Sequence, residues 1–146
     1  IEGYSLAFPT ARFDLSIEEN TVPVTGIPDL IAQLFDKLIS NAVEFSLPDA
    51  AIKVRLTIED EVAVLRVMNQ GPGLPENMRE NLFDSMVSVR GRYDGSSSHL
   101  GLGLYIAKVI TEFHGGDIKL SNREDSHGVV ATVRIPLMRL SSKLRL

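Results

Sequence analysis

Apolar and polar residues change period several times along this chain, and each change marks an element. Phe13, Leu15 and Ile17 alternate with polar neighbours, which predicts a half-buried strand. A turn at Glu19–Asn20 leads to a second short strand around TVPVTG (21–26). Pro28 then opens a helical pattern running to Phe45, with proline in the first turn. Leu30, Ile31, Leu34, Leu38, Ala42 and Phe45 form one apolar face of it. IKVRLTI (52–58) and VAVLRVM (62–68), joined through Glu59, Asp60 and Glu61, read as a hairpin. A short helical stretch, ENMRENLF (76–83), follows the loop GPGLP (71–75). A second strong helix runs from Gly101 to His114 and stops at Gly115–Gly116. DIKLS and VVATVRIP make a last hairpin around NREDSHG, ended by Pro136. Residues 1–10 show no clear period and read as a linker or an edge segment.

Strands arrive as antiparallel pairs and do not alternate with every helix. This predicts an α+β two-layer sandwich: a mixed, mainly antiparallel sheet of about five strands backed by about three helices. The 146 residues suit one domain with its own core. A net charge of −4 gives no electrostatic case for nucleic acid or a membrane surface. The absence of cysteine rules out disulfides and thiolate metal sites. No apolar run is long enough to span a bilayer, and no signal peptide is seen. A chain beginning at Ile1 reads as a piece of something longer.

Four stretches carry candidate chemistry. Asn41 falls about 20° from Leu30 on the helical wheel, inside the apolar arc. A polar group there needs a partner: either a neighbouring backbone group, or a metal or ligand beneath the helix. NQGPGLP (69–75) follows a strand, and Gly71 and Gly73 leave bare backbone against which a flat ligand can lie, with Asn69 as a hydrogen-bonding partner. A plain turn is the alternative. HLGLGL (99–104) puts glycines at a helix mouth, where exposed amides and the helix dipole attract phosphate. Close packing of helix on sheet selects glycine equally well. The loop 84–99 gathers Arg90, Arg92, Tyr93 and His99 among serines and glycines, which reads as a mobile lid over phosphates or as a solvated loop.

In this order the stretches resemble a known family. DKLISNAVEFS resembles the N box of sensor histidine kinases, NQGPGLP their first glycine box, NLFDSM the phenylalanine box, and HLGLGLYIAKVITEFHGG the second glycine box. The resemblance spans residues 12–137. It implies the catalytic and ATP-binding domain of a two-component histidine kinase over 11–137, with a flexible ATP lid at 84–99 and a tail at 138–146. It implies ATP with Mg2+, Asn41 as metal ligand, and Phe45, Asn69, Gly71, Gly73 and Leu74 around adenine. Leu82 and Phe83 match the phenylalanine-box pair, Gly101, Leu102 and Gly103 the phosphate turn, and Arg90 and Arg92 lid cations. The implied partners are the protein's own dimerisation and phosphoacceptor domain and a response regulator, with no nucleic acid. The full-length protein is expected to be a homodimer, the isolated domain a monomer, and the setting the cytoplasmic part of a membrane-anchored sensor.

Four positions depart from the family pattern, two of them, Lys37 and Glu44, as one exchange. Asn69 stands where an aspartate is usual, so the acceptor offered to the adenine amino group is uncharged, and the amide's donor would loosen base selectivity. Lys37 stands where histidine kinases have asparagine and the hydrolytic members a glutamate base; a cation cannot be that base at neutral pH. Glu44 replaces the usual phosphate-facing cation, so Lys37 is expected to supply it, alongside Asn41, as part of the catalytic machinery. Met86 replaces a second phenylalanine. The competing functions are a degenerate nucleotide-binding module that regulates by docking, and a serine kinase of the anti-sigma-factor type.

Overall fold

The computed structural model describes residues 2–18, 21–74, 83 and 102–138. Among these, five strands form one sheet: β1 (Arg12–Ile17), β2 (Ala51–Glu59), β3 (Val62–Gln70), β4 (Asp117–Asn122) and β5 (Gly128–Pro136). The order across the sheet is β1-β2-β3-β5-β4. β1 pairs with β2 in parallel and every other pair is antiparallel. The parallel pair needs a crossover, and α2 (Pro28–Glu44) provides it. β2 and β3 need only Asp60 and Glu61, both in the left-handed region (φ 49° and 62°), as a two-residue hairpin turn demands.

α2 and α3 (Leu102–Phe113) lie on one face of the sheet. Leu34, Leu38, Ile39 and Ala42 of α2 and Ala107 and Ile110 of α3 pack on Ile52, Val54, Val67, Ala131 and Val133. Each large side chain sealed this way stabilises the fold by about 1.5–3 kcal/mol. α3 ends in a Schellman motif: Gly116 N–H donates to Thr111 O (3.0 Å), Gly115 N–H to Glu112 O (2.9 Å), and Gly115 takes φ 73°. Among the described residues, no helix is long and apolar enough to cross a membrane.

The two-layer architecture is as expected, and its details differ at three places. Residues 2–7 are not a linker or edge segment: Glu2–Ala7 form a helix, α1, whose Tyr4 meets Phe35 of α2 edge-on at 5.3 Å. Its neighbours give it no repeating apolar pattern, and a tertiary contact anchors it. TVPVTG contributes only a single bridge, Val24 to Leu137. Pro23 has no N–H for a ladder, although its carbonyl still accepts from Met138. β1 is a strand, but Leu15 and Ile17 are 47% and 52% exposed, because an edge strand with a neighbour on one side escapes the cover of α2. The expected helix at 76–83 lies outside the described residues except for Phe83.

Candidate nucleotide site

The site residues that fall among the described ones gather where α2 ends, β3 ends and α3 begins. Lys37 and Asn41 are one turn apart on α2, and both are half-buried. The Asn41 side chain makes no hydrogen bond to a described residue and is not sealed from solvent. Among the described residues, no backbone group partners the Asn41 side chain, and the apolar arc does not close over it. The stem of Lys37 lies over the first turn of α3, its Cδ 3.8 Å from where a side chain would start on Gly103. Lys37 stands in none of the ion pairs formed among the described residues.

α3 starts at Leu102, so the amides of its first turn have no intrahelical acceptor. Leu102 is exposed and Gly103 half-buried. Gly101, Leu82, Arg90 and Arg92 lie outside the described residues, as do the lid segment 84–99 and the tail from 139.

The other wall is stitched together by hydrogen bonds around the α2 C-terminus. Phe45 caps α2: its N–H returns to Asn41 O at 3.2 Å, and the next amide, Ser46 N–H, to Val43 O at 3.3 Å. Leu47 N–H donates to Gln70 O at 2.7 Å. Asn69, 3% exposed at the end of β3, donates through Nδ2 to Phe45 O at 3.1 Å. Gly71 follows directly, and a methyl group there would collide with the same carbonyl oxygen. Only glycine lets the loop pass this close. Gly73 and Leu74 continue along β4, and Leu74 N–H donates to Asn122 Oδ1 at 2.7 Å.

Two residues behind this wall were not singled out from sequence. Asn122 holds the Gly73–Leu74 segment. Arg123, with its side chain 3% exposed, reaches Asn69 O through Nη1 at 3.5 Å and grips Asp125 through Nε (2.8 Å) and Nη2 (2.6 Å). The Arg123 hydrogen bonds pull the Asp125 carboxyl down to about 2, and Asp125 holds the guanidinium proton more tightly in return. The signal lies in register: Asn69 pairs with Val129, and Val129 with Asn122, so the two asparagines flank one valine on the core face.

Asn41, Lys37, Phe45, Asn69, Gly71, Gly73, Leu74, Leu102 and Gly103 thus border one region. Its chemistry is a hard amide oxygen on Asn41, a cation near a helix N-terminus, and two glycines packed against Phe45 O and the Asn122 side chain beside a buried amide.

Residues 26–139 match the family described as histidine kinase-, DNA gyrase B-, and HSP90-like ATPase. The chain belongs to this family, in the branch formed by the catalytic ATP-binding domains of histidine kinases. It is similar to the sensor protein VanSC of Enterococcus gallinarum, 32% identical over 125 residues, which are 86% of this chain and 34% of that protein. It is 35% identical over 131 residues to the sensor protein BasS of Escherichia coli K12, across 90% of this chain and 33% of that protein. The catalytic domain of the histidine kinase ThkA superposes with a TM-score of 0.77 at 27% identity, covering 92% of this chain and 90% of that one. The chain therefore spans about a third of the length of the sensor proteins it resembles.

Proposed function

We propose that this domain binds Mg-ATP between α2, the end of β3 and the start of α3, and donates the γ-phosphoryl group to a histidine on a separate dimerisation domain. The observation that carries the reading is the placement of Asn41 and Lys37. One offers a half-buried side chain without a hydrogen bond among the described residues, and the other runs its stem over Gly103. Adenine lies against Phe45, Gly71, Gly73 and Leu74, with Asn69 at its edge. Lys37 neutralises phosphate oxygens at the α3 N-terminus, with Gly101, Leu102 and Gly103 as the phosphate turn and Arg90 and Arg92 as lid cations. Leu82 completes the apolar wall.

The donor set fits Mg2+: the carboxamide of Asn41 is a hard oxygen ligand, of the kind the ion accepts alongside phosphate and water. When bound, the ion would supply charge neutralisation for the phosphates. The protein's share of catalysis is positioning, because phosphoryl transfer asks little covalent chemistry of side chains.

The acceptor lies elsewhere in the full-length protein, and α3 carries a surface suited to meet it. Leu102, Tyr105, Val109 and Phe113 recur at helical spacing, and each is exposed, Phe113 by 64%. A response regulator then takes the phosphoryl group. The full-length protein works as a homodimer, the isolated domain is a monomer, and ATP as donor places the domain in the cytoplasm.

The test is calorimetric titration of ATP with and without Mg2+, followed by transfer from labelled ATP to a supplied dimerisation domain. Binding with transfer supports the reading. Binding without transfer to any acceptor favours the degenerate module, which Lys37, Glu44 and Asn69 also suit. Transfer to a serine of a partner protein favours the anti-sigma-factor type. No binding at all refutes the site.

A further inference from the structure

His114 stands where α3 ends, and its half-buried ring reaches the start of α2. Nε2 lies 3.2 Å from the main-chain nitrogen of Ile27, and Nδ1 lies 2.7 Å from Ile110 O. An amide N–H only donates and a carbonyl only accepts. The ring proton therefore belongs on Nδ1, and the Nε2 lone pair accepts from Ile27. Ile27 opens α2 just before Pro28, and α2 has no side-chain cap of its own there. His114, 87 residues away in sequence, takes that place. The ring is closely fitted. A Cβ on Gly26 would come within 2.7 Å of Cδ2 and 2.9 Å of Nε2, and Phe113 meets the ring edge-on at 5.2 Å.

We propose that His114 is a proton-sensitive clasp between α3 and α2: neutral, it holds the first amide of α2, and protonated, it releases it. An imidazolium carries N–H on both nitrogens and has no lone pair to offer Ile27. It would also set a positive charge at the positive end of the α2 dipole. The negative end of α3 would favour the same charge, so the two dipoles oppose each other and the lost hydrogen bond decides. The charged residues of the flanking elements are Asp29 in the first turn of α2, Lys108 and Glu112 on α3, Asp117 on β4, and Arg134 on β5. The chain from Thr21 to Ile27 adds none. Among the described residues none of them forms an ion pair with His114, and Lys108 and Glu112 pair with each other at 3.9 Å. An ordinary imidazole changes charge at about pH 6.5, so the clasp is closed above that range and open below it. Acid thus frees one end of the helix that carries Lys37 and Asn41, while its other end stays held by Asn69 at Phe45. The clasp does not depend on what the site binds.

The test is nuclear magnetic resonance of the isotope-labelled domain between about pH 8 and about pH 5, on either side of the imidazole range. A long-range proton–nitrogen spectrum of the His114 ring at the upper limit should show the Nδ1–H form. The amides of Leu30 and Ile31, which bond Ile27 O, should be protected from solvent exchange while the ring is neutral. Corrected for the intrinsic pH dependence of exchange, that protection should fall about tenfold as the ring charges. The fall should follow the His114 ring signal through the same midpoint. His114→Gln, with an amide oxygen to accept from Ile27, should stay protected across the range, and His114→Ala should be open throughout. If His114→Ala does not fold, or if the glutamine is as open as the alanine, the two titrations of the parent decide alone. An Nε2–H form at the upper limit overturns the clasp. So does protection that stays constant while the ring charges, or that falls at a midpoint other than the ring's. A fall of equal size in His114→Gln overturns it as well.

Discussion

Asn122 and Leu74, 48 residues apart, are joined by a 2.7 Å hydrogen bond from the Leu74 main chain to the Asn122 side-chain oxygen. The bond fixes the glycine loop to β4 and makes the loop's shape depend on a strand far away in sequence. Asn122→Ala should leave the Leu74 N–H without this acceptor, destabilise the domain by about 1 kcal/mol and weaken ATP several-fold. Asn122→Asp keeps an acceptor in place and should stay close to the parent in both. Calorimetry and urea unfolding of the two variants check this, and equal losses in both would show that the acceptor is irrelevant.

Lys37→Ala should weaken ATP more than adenosine, since adenosine offers no phosphate. A hydrogen bond to a charged group contributes roughly 1.5–3 kcal/mol, or about a tenfold to hundredfold loss. Paired titrations of the two ligands at fixed Mg2+ and ionic strength are the measurement. If the variant loses affinity for both ligands equally, Lys37 does not touch phosphate.

Asn41→Ala should abolish the gain in ATP affinity that Mg2+ confers, with little loss of stability, because the side chain makes no hydrogen bond among the described residues. A variant whose affinity still rises with Mg2+ as steeply as the parent's would exclude Asn41 as a ligand.

The Arg123–Asp125 pair gives the domain part of its acid sensitivity. The folded-state Asp125 carboxyl, at about 2, lies below the ordinary value near 4 of an unfolded chain. Its contribution to stability is therefore present above about pH 4 and is lost as the pH falls toward 2. Parent and Asp125→Asn should differ in urea midpoint near neutrality and converge as the pH drops through this window. Glu59, held low by hydrogen bonds from Arg66 and then Thr57, adds acid sensitivity of the same sign and persists in the variant. A gap between the two proteins that is constant from about pH 6 to pH 2 would count against the pair.

The elements that sequence reveals are those whose signals are local. α2 ends within a residue of its expected stop because its apolar spacing and Pro28 are both written in the segment itself. The β2–β3 hairpin is legible for the same reason, although its turn is Asp60 and Glu61 alone, with Glu59 taken into β2. α1 is not legible, since Tyr4 finds its partner on another helix. In the site, Asn41 and the glycines stand out as anomalies in their own patterns. Asn122 and Arg123 do not: an asparagine and an arginine at a strand end look like ordinary solvated residues. They matter only because β5 lies between β4 and β3, an arrangement no local pattern encodes.

α2 is gripped at three points along its length. At its start, Ile27 N–H donates to His114 Nε2 at 3.2 Å, while His114 Nδ1 donates to Ile110 O at 2.7 Å. Near the middle, Tyr4 abuts Phe35, and at the end Phe45 O accepts from Asn69. Fraying from either terminus must break a tertiary bond before the first turn can open. The central amides of α2 should therefore exchange with deuterium only when the whole domain unfolds, and their protection should report global stability. The helix that bears Asn41 and Lys37 would then present both side chains on a backbone that does not open locally between one nucleotide and the next.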